Sequence, residues 1–460
     1  MKTQNAPDPS DLEARSPTSA APTTRFKIVE IDLAAPIESI PQGGPNEGVF
    51  LLFRVGETYL GHNRLLCTEL PAPASRVAYA AAQTTAITVG DLLRLAGFKA
   101  KLPSLYQPEA INRPPSIEAI QSELDQGSIL KKLSASALAS SPAAESVSLV
   151  ICTRNRAESL AKTLDSVAAL QPPPFETIVV DNAPTDSSTQ AVVSKYPNIN
   201  YCIEPKPGLS QARNKGIEAA SGAIISYTDD DVRLPTNWIK AIADSFADSQ
   251  TMATTGLMLP AELRTEAQIE FQKNSEGDGW GYRPRHYTRE NFLIPMRRKG
   301  APVWKIGAGA NMAFRRSIFA KVGGFDPRLG AGASGCSEDS EMWYRILESG
   351  HDIRYDPRAV VFHTHRETMA ELSQQMRSYL KGHVVALVIQ FLNFGHLGDL
   401  RRLLLSLPWY YTRLSVLTLL GIQKTPNLLP SIRGFMSGIA YCLSLPFRHP
   451  SRTKATASIK

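Results

Sequence analysis

The sequence predicts an α/β fold, preceded by a small α+β module and followed by a helical tail. Three short apolar runs have the length of buried strands: residues 147–151, 177–180 and 223–227. After the first run, Leu160, Leu164 and Val167 fall at positions i, i+4 and i+7, on one face of a helix. Strands that alternate with helices form largely parallel sheets. Because such sheets bind ligands at the carboxyl ends of their strands, the polar residues after each run are site candidates.

Changes in composition divide the chain into five predicted parts. Residues 1–24 are rich in Pro, Ser, Thr and Ala and predict a disordered lead. Residues 25–132 form an accessory module, in which a strand at 49–55 turns back at Gly56-Glu57. Residues 133–146 are a Ser/Ala-rich linker. Residues 147–368 are the main domain, and 369–460 a basic, apolar, helical tail.

The net charge of +7 comes from 50 Lys and Arg against 43 Asp and Glu. Residues 401–460 contain nine Lys and Arg and no acid, so the rest of the chain is close to neutral. A basic surface for nucleic acid is therefore not expected. The five cysteines have no CxxC spacing, which argues against a disulfide framework or a zinc knuckle. The first 25 residues lack the apolar stretch of a secretory signal, so a reducing cytoplasm is expected.

Three consecutive acids, Asp229, Asp230 and Asp231, follow the third strand directly. Adjacent carboxylates repel one another, and a hard divalent cation such as Mg²⁺ or Mn²⁺ relieves this, usually together with a substrate diphosphate. The alternative is that they cap the next helix, for which one Asp would suffice. His363 ends an apolar run and is a candidate third ligand, although a buried structural histidine has the same pattern.

A second acidic cluster opens a predicted helix at Glu338 and Asp339, with Ser337 as its N-cap. A carboxylate at this position can act as a general base, or it can simply balance the helix dipole. Asn155 is predicted to cap the helix after the first strand. Residues 330–335 match GxGxxG, but no strand precedes them, so a glycine-rich loop is favoured over a dinucleotide site.

Several motifs occur in a specific order between residues 147 and 368: VSLVICTRNR, IVVDN, GLSQARNKG, SYTDDDV, GAGANMAFRR, GGFD, SEDSE and VVFH. This ordered set resembles the family 2 glycosyltransferases. The resemblance implies a GT-A-like mixed sheet with flanking helices, a nucleotide-sugar donor and an inverting reaction.

The resemblance also implies roles for individual residues. On the donor nucleotide it places Thr153, Arg154, Asp181, Arg213 and Asp230. It assigns the metal to Asp229 and Asp231, to which our reading of the sequence adds His363, and it assigns the catalytic base to Asp339, beside Glu338. It assigns the wall beside the donor sugar to Gly309, Ala310 and Asn311.

These expectations define an enzyme that moves one sugar to the hydroxyl of a glycan or lipid-linked acceptor, in cell-envelope or surface glycan synthesis. Processive relatives carry Gln-x-x-Arg-Trp after the base, whereas Gln374 to Ser378 lack the Trp, which favours single addition. The alternatives are a metal-dependent sugar nucleotidyltransferase and a non-catalytic sugar- or lipid-binding scaffold. Residues 260–303, which mix aromatic and basic side chains, are either acceptor-side or a plain surface insertion.

Two apolar stretches in the tail, residues 403–420 and 428–447, are interrupted by Arg413 and Arg433 and contain Pro408 and Pro430. Charges in mid-span are costly in a bilayer, so interfacial helices are expected rather than spanning ones. The alternative is that these helices pack on the main domain. The first interpretation predicts a peripheral protein at the inner face of the cell membrane.

Overall fold

The computed structural model describes residues 23–95, 146–275, 281–423, 425 and 427–445. The predicted lead, apart from its last two residues, and the predicted linker, apart from its last residue, lie outside these ranges. The N-terminal part contains β1 (Arg25–Asp32), β2 (Glu47–Val55), β3 (Thr58–Leu65) and α1 (Ala74–Leu95). β2 and β3 form the predicted hairpin, and Gly56 at its turn has a φ of 55°. β1 pairs with β2 in parallel.

The central region alternates strands and helices, as the apolar runs predict. In chain order it contains β4 (Val147–Thr153), α2 (Ala157–Ala168), β5 (Glu176–Asn182), α3 (Ser188–Val193), β6 (Ile199–Glu204), α4 (Leu209–Ala219), β7 (Ile224–Thr228), β8 (Val232–Arg233), α5 (Trp238–Asp244), β9 (Thr251–Pro260), α6 (Glu266–Ser275), β10 (Arg285–Tyr287), β11 (Asn311–Arg315), α7 (Ile318–Val322), α8 (Glu338–Glu348) and β12 (Asp352–His363). Short helical turns cover Cys67–Glu69, Arg289–Leu293, Ile294–Met296, Val303–Lys305 and Arg402–Ser406.

One mixed sheet organises this region, with strand order β10-β12-β9-β11-β7-β4-β5-β6 and β8 paired to β12. β7, β4, β5 and β6 are mutually parallel, whereas β11 runs antiparallel to both β7 and β9. Leu149 packs with α2 and α5 on one face of the sheet, and Val150 packs with α4 and α8 on the other. The predicted α/β class, with a mixed sheet and flanking helices, is confirmed.

The N-terminal sheet joins the central sheet and shares part of its hydrophobic core. The amide of Phe26 donates to the carbonyl of Leu263 at 2.8 Å, and the rings of Tyr59 and Phe362 meet edge to face. In the 260–303 stretch, Tyr282 hydrogen-bonds His62 and Arg283 pairs with Asp91. These two side chains therefore contact the N-terminal part of the chain.

The C-terminal region is helical, as predicted: α9 (Met369–Phe394), α10 (Leu397–Arg401), α11 (Leu407–Leu419) and α12 (Leu428–Ser444). α12 packs along α9, where Gly434 and Gly438 allow the two backbones to approach closely. Cys442 on the same side of α12 joins a core with Val384 and Leu387 of α9. None of the helices in the described ranges has the length and apolarity to cross a bilayer.

Gly434→Ala should loosen the contact between α12 and α9. A Cβ at this position would collide with the backbone carbonyl of Arg377, which cannot rotate away. We expect a loss of about 1–3 kcal/mol of local stability. Hydrogen exchange of the α12 amides measures this loss directly.

The matched control is Gly90→Ala in α1, where an added Cβ meets nothing within 4 Å. Alanine is the better helix former, so this substitution should stabilise α1 by about 0.5–1 kcal/mol. Equal exchange of the α12 amides in Gly434→Ala and the unsubstituted protein would contradict the proposed close packing.

Candidate active site

The polar ends of several strands meet at one edge of the central sheet. Thr153 and Asp181 are paired neighbours at the ends of β4 and β5. Thr228, at the end of β7, lies opposite the first residue of β11. His363 ends β12 and pairs with β8, which begins directly after the three acids. The sheet order therefore gathers side chains that are more than 200 residues apart in the sequence.

Asp229, Asp231 and His363 each offer one ligand atom, and these atoms lie within 4.8 Å of one another. Nε2 of His363 is 3.1 Å from Oδ1 of Asp231, within ion-pair distance. Oδ1 of Asp231 is buried and has no hydrogen-bond partner among the described residues. Two carboxylates and an imidazole that converge in this way fit a divalent cation.

The ring of His363 is held by a second histidine. Nδ1 of His363 lies 3.2 Å from Nδ1 of His365, which leaves Nε2 facing Asp231. Burial lowers the pKa of His365 to about 3, so that ring is neutral. Burial also acts to lower the pKa of His363, but the charge of Asp231 outweighs it and the pKa is raised. The second nitrogen of His363 thus has a fixed partner, as is common for histidines that bind metals.

Arg156 is the main residue of the site that the sequence analysis did not identify. Its Nη1 lies 2.5 Å from Oδ1 of Asp230, and its Nη2 lies 2.8 Å from Oδ2 of Asp231. Burial alone would raise the pKa of Asp231, but His363 and Arg156 hold it well below its usual range. One oxygen of Asp231 therefore binds Arg156, and the other remains for the cation.

The turn between β4 and α2 explains how Arg156 reaches the acids. Asn155 was predicted to cap α2, but it adopts a left-handed φ of 54°, and its side chain accepts a hydrogen bond from the amide of Thr185. The cap position falls on Arg156 instead, without a side-chain capping bond. This geometry directs Arg156 toward the acids, whereas Arg154 is exposed.

Asp230 is held entirely within the protein. Its Oδ2 accepts a hydrogen bond from Thr153 at 2.6 Å, and its Oδ1 binds Arg156. Burial raises its pKa to about 7 although Arg156 opposes this. Asp181 is also fully buried; its Oδ2 accepts a bond from the Tyr201 hydroxyl, and burial raises its pKa. Neither acid is open to bulk water.

Arg213 connects Asp229, a candidate metal ligand, to the start of α8. Its Nη1 lies 2.5 Å from Oε1 of Glu338, its Nη2 donates to the carbonyl of Gly309 at 3.3 Å, and Asp229 is 3.9 Å away. The guanidinium is buried over the ring of Phe325. Burial raises the pKa of Glu338 to about 7, against the effect of Arg213. Glu338 thus faces Arg213 inside the protein.

Asp339 follows Glu338 in the first turn of α8 and is less buried than Glu338. Its Oδ1 accepts a hydrogen bond from the Ser340 amide at 2.6 Å, which fixes the carboxylate at the helix start. A side chain at position 309 would come within 3.0 Å of Oδ2 of Asp339, so Gly309 leaves this oxygen accessible. Ser337 is at the predicted cap position, but its side chain makes no capping bond.

Asn311, which is predicted in the pocket wall, has its side chain hydrogen-bonded within the sheet. Its amide donates to the carbonyls of Leu257 and Ala359, and its Oδ1 accepts a bond from the Trp238 indole. The pairing of β9 and β12 is irregular between Asp356 and Val360, and Asn311 satisfies the carbonyls freed there. Its side chain therefore supports the sheet. The carbonyl of Ala310, also predicted in the wall, accepts a bond from Thr228.

The glycine-rich loop before α8 is fixed on two sides. Gly330, Gly332 and Gly335 all have positive φ angles, which explains the glycine pattern without a nucleotide. The carbonyl of Ala331 accepts a bond from the first amide of α4, and the carbonyl of Ala333 accepts one from Lys381 of α9. The loop therefore joins α4 and α9 to the start of α8.

The sequence of this chain is similar to those of known glycosyltransferases. Residues 148–323 match the family model described as Glycosyl transferase family 2. A glucosyl-dolichyl phosphate glucuronosyltransferase from Haloferax volcanii is 25% identical over 251 residues, which cover 52% of this chain and 75% of the relative. A pre-mycofactocin glycosyltransferase from Mycobacterium tuberculosis is 27% identical over 241 residues, which cover 50% of this chain and 45% of the relative. The chain therefore spans less than half of the second relative.

Among solved structures, a mannosyltransferase from Pyrobaculum calidifontis in complex with GDP-Man and Mn²⁺ is similar at a TM-score of 0.42. The two are 16% identical, and the alignment covers 70% of this chain and 95% of the other.

Arg156→Met should destabilise the protein, because it removes the guanidinium that pairs with both Asp230 and Asp231 and leaves these two buried carboxylates without it. Removing one partner of a buried ion pair costs about 3–5 kcal/mol. The side chain of Arg156 is itself 37% exposed, and solvent screening weakens the pair, so we expect a smaller loss, about 2 kcal/mol. The midpoint of urea unfolding measures this loss.

The matched control is Arg154→Met in the same turn, which removes an exposed guanidinium and should leave the midpoint unchanged. Equal midpoints for the two variants would contradict the role of Arg156 in balancing the acids.

Proposed function

The chain is a family 2 glycosyltransferase over residues 148–323, and we propose that it moves a sugar from a nucleotide-sugar donor to an acceptor hydroxyl with inversion. The observation that carries the proposal is the arrangement around Arg213. A cation-binding set of acids lies on one side of this guanidinium, and the acid-bearing start of α8 lies on the other. Such a site can stabilise a leaving diphosphate and accept a proton from an attacking hydroxyl.

On the donor side, Asp229, Asp231 and His363 would hold Mg²⁺ or Mn²⁺. When bound, the cation would neutralise charge on the diphosphate. Arg213 borders the same acids and would share this task from a fixed, desolvated position. Because Arg156 occupies the other oxygen of Asp231, the geometry favours a cation bound through a single oxygen of this acid.

The nucleoside would lie against the ends of β4 and β5. Asp181 and Thr153 are adjacent in the sheet, and Asp230 is hydrogen-bonded to Thr153. We assign the base to the side of Asp181 and the ribose to the side of Asp230, with Arg154 at the open rim. A carboxylate has lone pairs for more than two hydrogen bonds, so the internal bonds of Asp230 do not exclude a ribose hydroxyl.

On the acceptor side, Asp339 would act as the base. The Ser340 amide fixes one of its oxygens, and Gly309 leaves the other open toward the donor sugar. One base on the face opposite the leaving group gives inversion. Glu338 was grouped with Asp339 as catalytic, but its contact with Arg213 favours a positioning role, in which it orients the guanidinium.

Single addition to an envelope or surface glycan is a further part of the proposal. In the stretch where processive relatives carry Gln-x-x-Arg-Trp, Arg377 contacts Ser437 of α12, and Ser378 replaces the Trp. A lipid-linked acceptor is consistent with the first relative, whose name gives a glucosyl-dolichyl phosphate as its substrate. We propose a peripheral location at the inner face of the membrane through the basic tail.

Asp339→Asn should abolish sugar transfer and leave donor binding intact. The amide keeps the shape and the bond to Ser340 but cannot accept the acceptor proton. We expect a loss of at least a hundredfold in nucleoside diphosphate release, with unchanged donor affinity by calorimetry.

The control for this change is Asp248→Asn, a partly exposed acid just before β9, at the opposite end of the strands from the site. It should retain full activity. Transfer by Asp339→Asn at the unsubstituted rate would remove Asp339 as the base.

Chelation should stop the reaction, and Mg²⁺ or Mn²⁺ should restore it in the unsubstituted protein. Asp231→Asn loses the charge that both the cation and Arg156 use. We expect its cation dissociation constant, measured by Mn²⁺ titration without donor, to rise at least tenfold. Undiminished Mn²⁺ affinity in this variant would rule out the assigned ligand set.

A further inference from the structure

Exposed apolar side chains are concentrated in one part of the molecule. Of the 21 large hydrophobic side chains that are exposed in the described ranges, 12 fall between Leu397 and Leu443. This segment is about one eighth of the described chain. Contiguous apolar surface of this kind marks an interaction site rather than ordinary scatter.

On α11 the exposed side chains form a helical stripe. Trp409, Val416 and Leu419 are 72%, 48% and 86% exposed and follow one another at spacings of seven and three residues. Arg413 lies on the same side of the helix, between Trp409 and Val416. The stripe is therefore apolar along its length, with one arginine inside it.

α12 carries a similar exposed apolar stripe with one arginine in it. Leu429, Met436 and Leu443 are exposed at spacings of seven residues, and Arg433 lies between the first two. The opposite side of this helix carries Gly434 and is packed against α9. This packing fixes the rotation of α12, so its apolar stripe faces outward.

A cleft of about 190 Å³ lies between the two helices. Its lining includes Leu407, Pro408, Tyr411, Ile432 and Phe435, and it is open on one side. The two helices thus leave a mainly apolar groove between them, into which Thr412 and Ser415 also face and where burial of hydrocarbon would be favourable.

The charges in this segment indicate what covers these stripes. After Asp399 the sequence contains no acid, and Arg401, Arg402, Arg413 and Arg433 lie on the described helices. An arginine within an apolar stripe is costly in a packed protein interface, but at a bilayer surface it can reach a phosphate while its stem stays in hydrocarbon. Anionic lipids attract such cations at the membrane surface. Exposed Trp409 and Tyr410 are typical of the membrane interface.

We propose that the outer faces of α11 and α12 insert together into one leaflet of an anionic lipid bilayer, with lipid hydrocarbon in the cleft between them. This inference rests on the membrane location in the proposed function and names the surface that provides it. The helices lie in the plane of the leaflet, with Arg413 and Arg433 at the headgroups.

The same helices connect this surface to the active site. Lys381 of α9 binds the loop before α8, lies against the ring of Tyr441, and so joins that loop to α12. The hydroxyl of Tyr441 also contacts the carbonyl of Arg328 in this loop. A lipid-linked acceptor would therefore meet the enzyme on the side that supports Asp339.

The test uses the full chain and vesicles of phosphatidylcholine with 30 mol% phosphatidylglycerol, in a co-sedimentation assay. The double substitution Leu419→Asp and Leu443→Asp places acids at positions that are 86% and 84% exposed and leaves the packed sides of the helices untouched. We expect at least a tenfold loss of vesicle partitioning. The matched control is Ile87→Asp on α1, which is 67% exposed and should bind vesicles as the unsubstituted protein does.

A second measurement locates the contact. Brominated lipids should quench the fluorescence of Trp409, and Trp409→Phe should remove most of that quenching. Nucleoside diphosphate release with a water-soluble acceptor should be unchanged in the double variant, so failure of the membrane surface is separable from failure of the transferase assignment. Unaltered partitioning of the double variant would overturn the proposal. So would a dimer in solution that the two substitutions dissociate.

Discussion

Charge balance among buried acids is the constraint on which the site depends. Three consecutive aspartates and Glu338 lie close together. Two arginines from distant parts of the chain form ion pairs with them. Arg156 neutralises Asp230 and one side of Asp231, and Arg213 neutralises Glu338. Without these guanidiniums the acids would repel one another and gain protons. With them in place, Asp229, Asp231 and His363 still offer converging ligand atoms, and a divalent cation fits there.

This balance also determines which strands must end together. Arg156 follows β4, the acids follow β7, His363 ends β12, and Arg213 lies on α4. Their contacts require these three strands and α4 to present one common edge, which the order β12-β9-β11-β7-β4 provides. Gly309 meets this edge from the start of β11, where any side chain would strike Arg213. The strand order and the close approach at Gly309 therefore bring the site residues together.

The position of the site and its candidate metal ligands could be predicted from the sequence, because polar residues directly after apolar runs mark the ligand edge of a parallel sheet. That rule brought Asp229, Asp231 and His363 together as candidates. It could not identify Arg156, since apolar periodicity does not say which of two arginines in a turn points inward; the left-handed Asn155 decides that. It also could not foresee Asn311, whose partners are carbonyls freed by an irregularity between β9 and β12.

The same reasoning about charge applies to the tail, with the opposite outcome. In the site, Arg156 and Arg213 pair with the negatively charged acids, and the remaining ligand atoms fit a divalent cation. In the tail the nine cations have no acid after Asp399 to pair with, and Arg413 and Arg433 lie within exposed apolar stripes. Within the described part of the tail, neither Arg413 nor Arg433 forms an ion pair with an acid of the chain, unlike Arg156 and Arg213 in the site. Apolar surface and positive charge that remain uncompensated on the same helices require a partner that supplies hydrocarbon and anions together, which an anionic leaflet does.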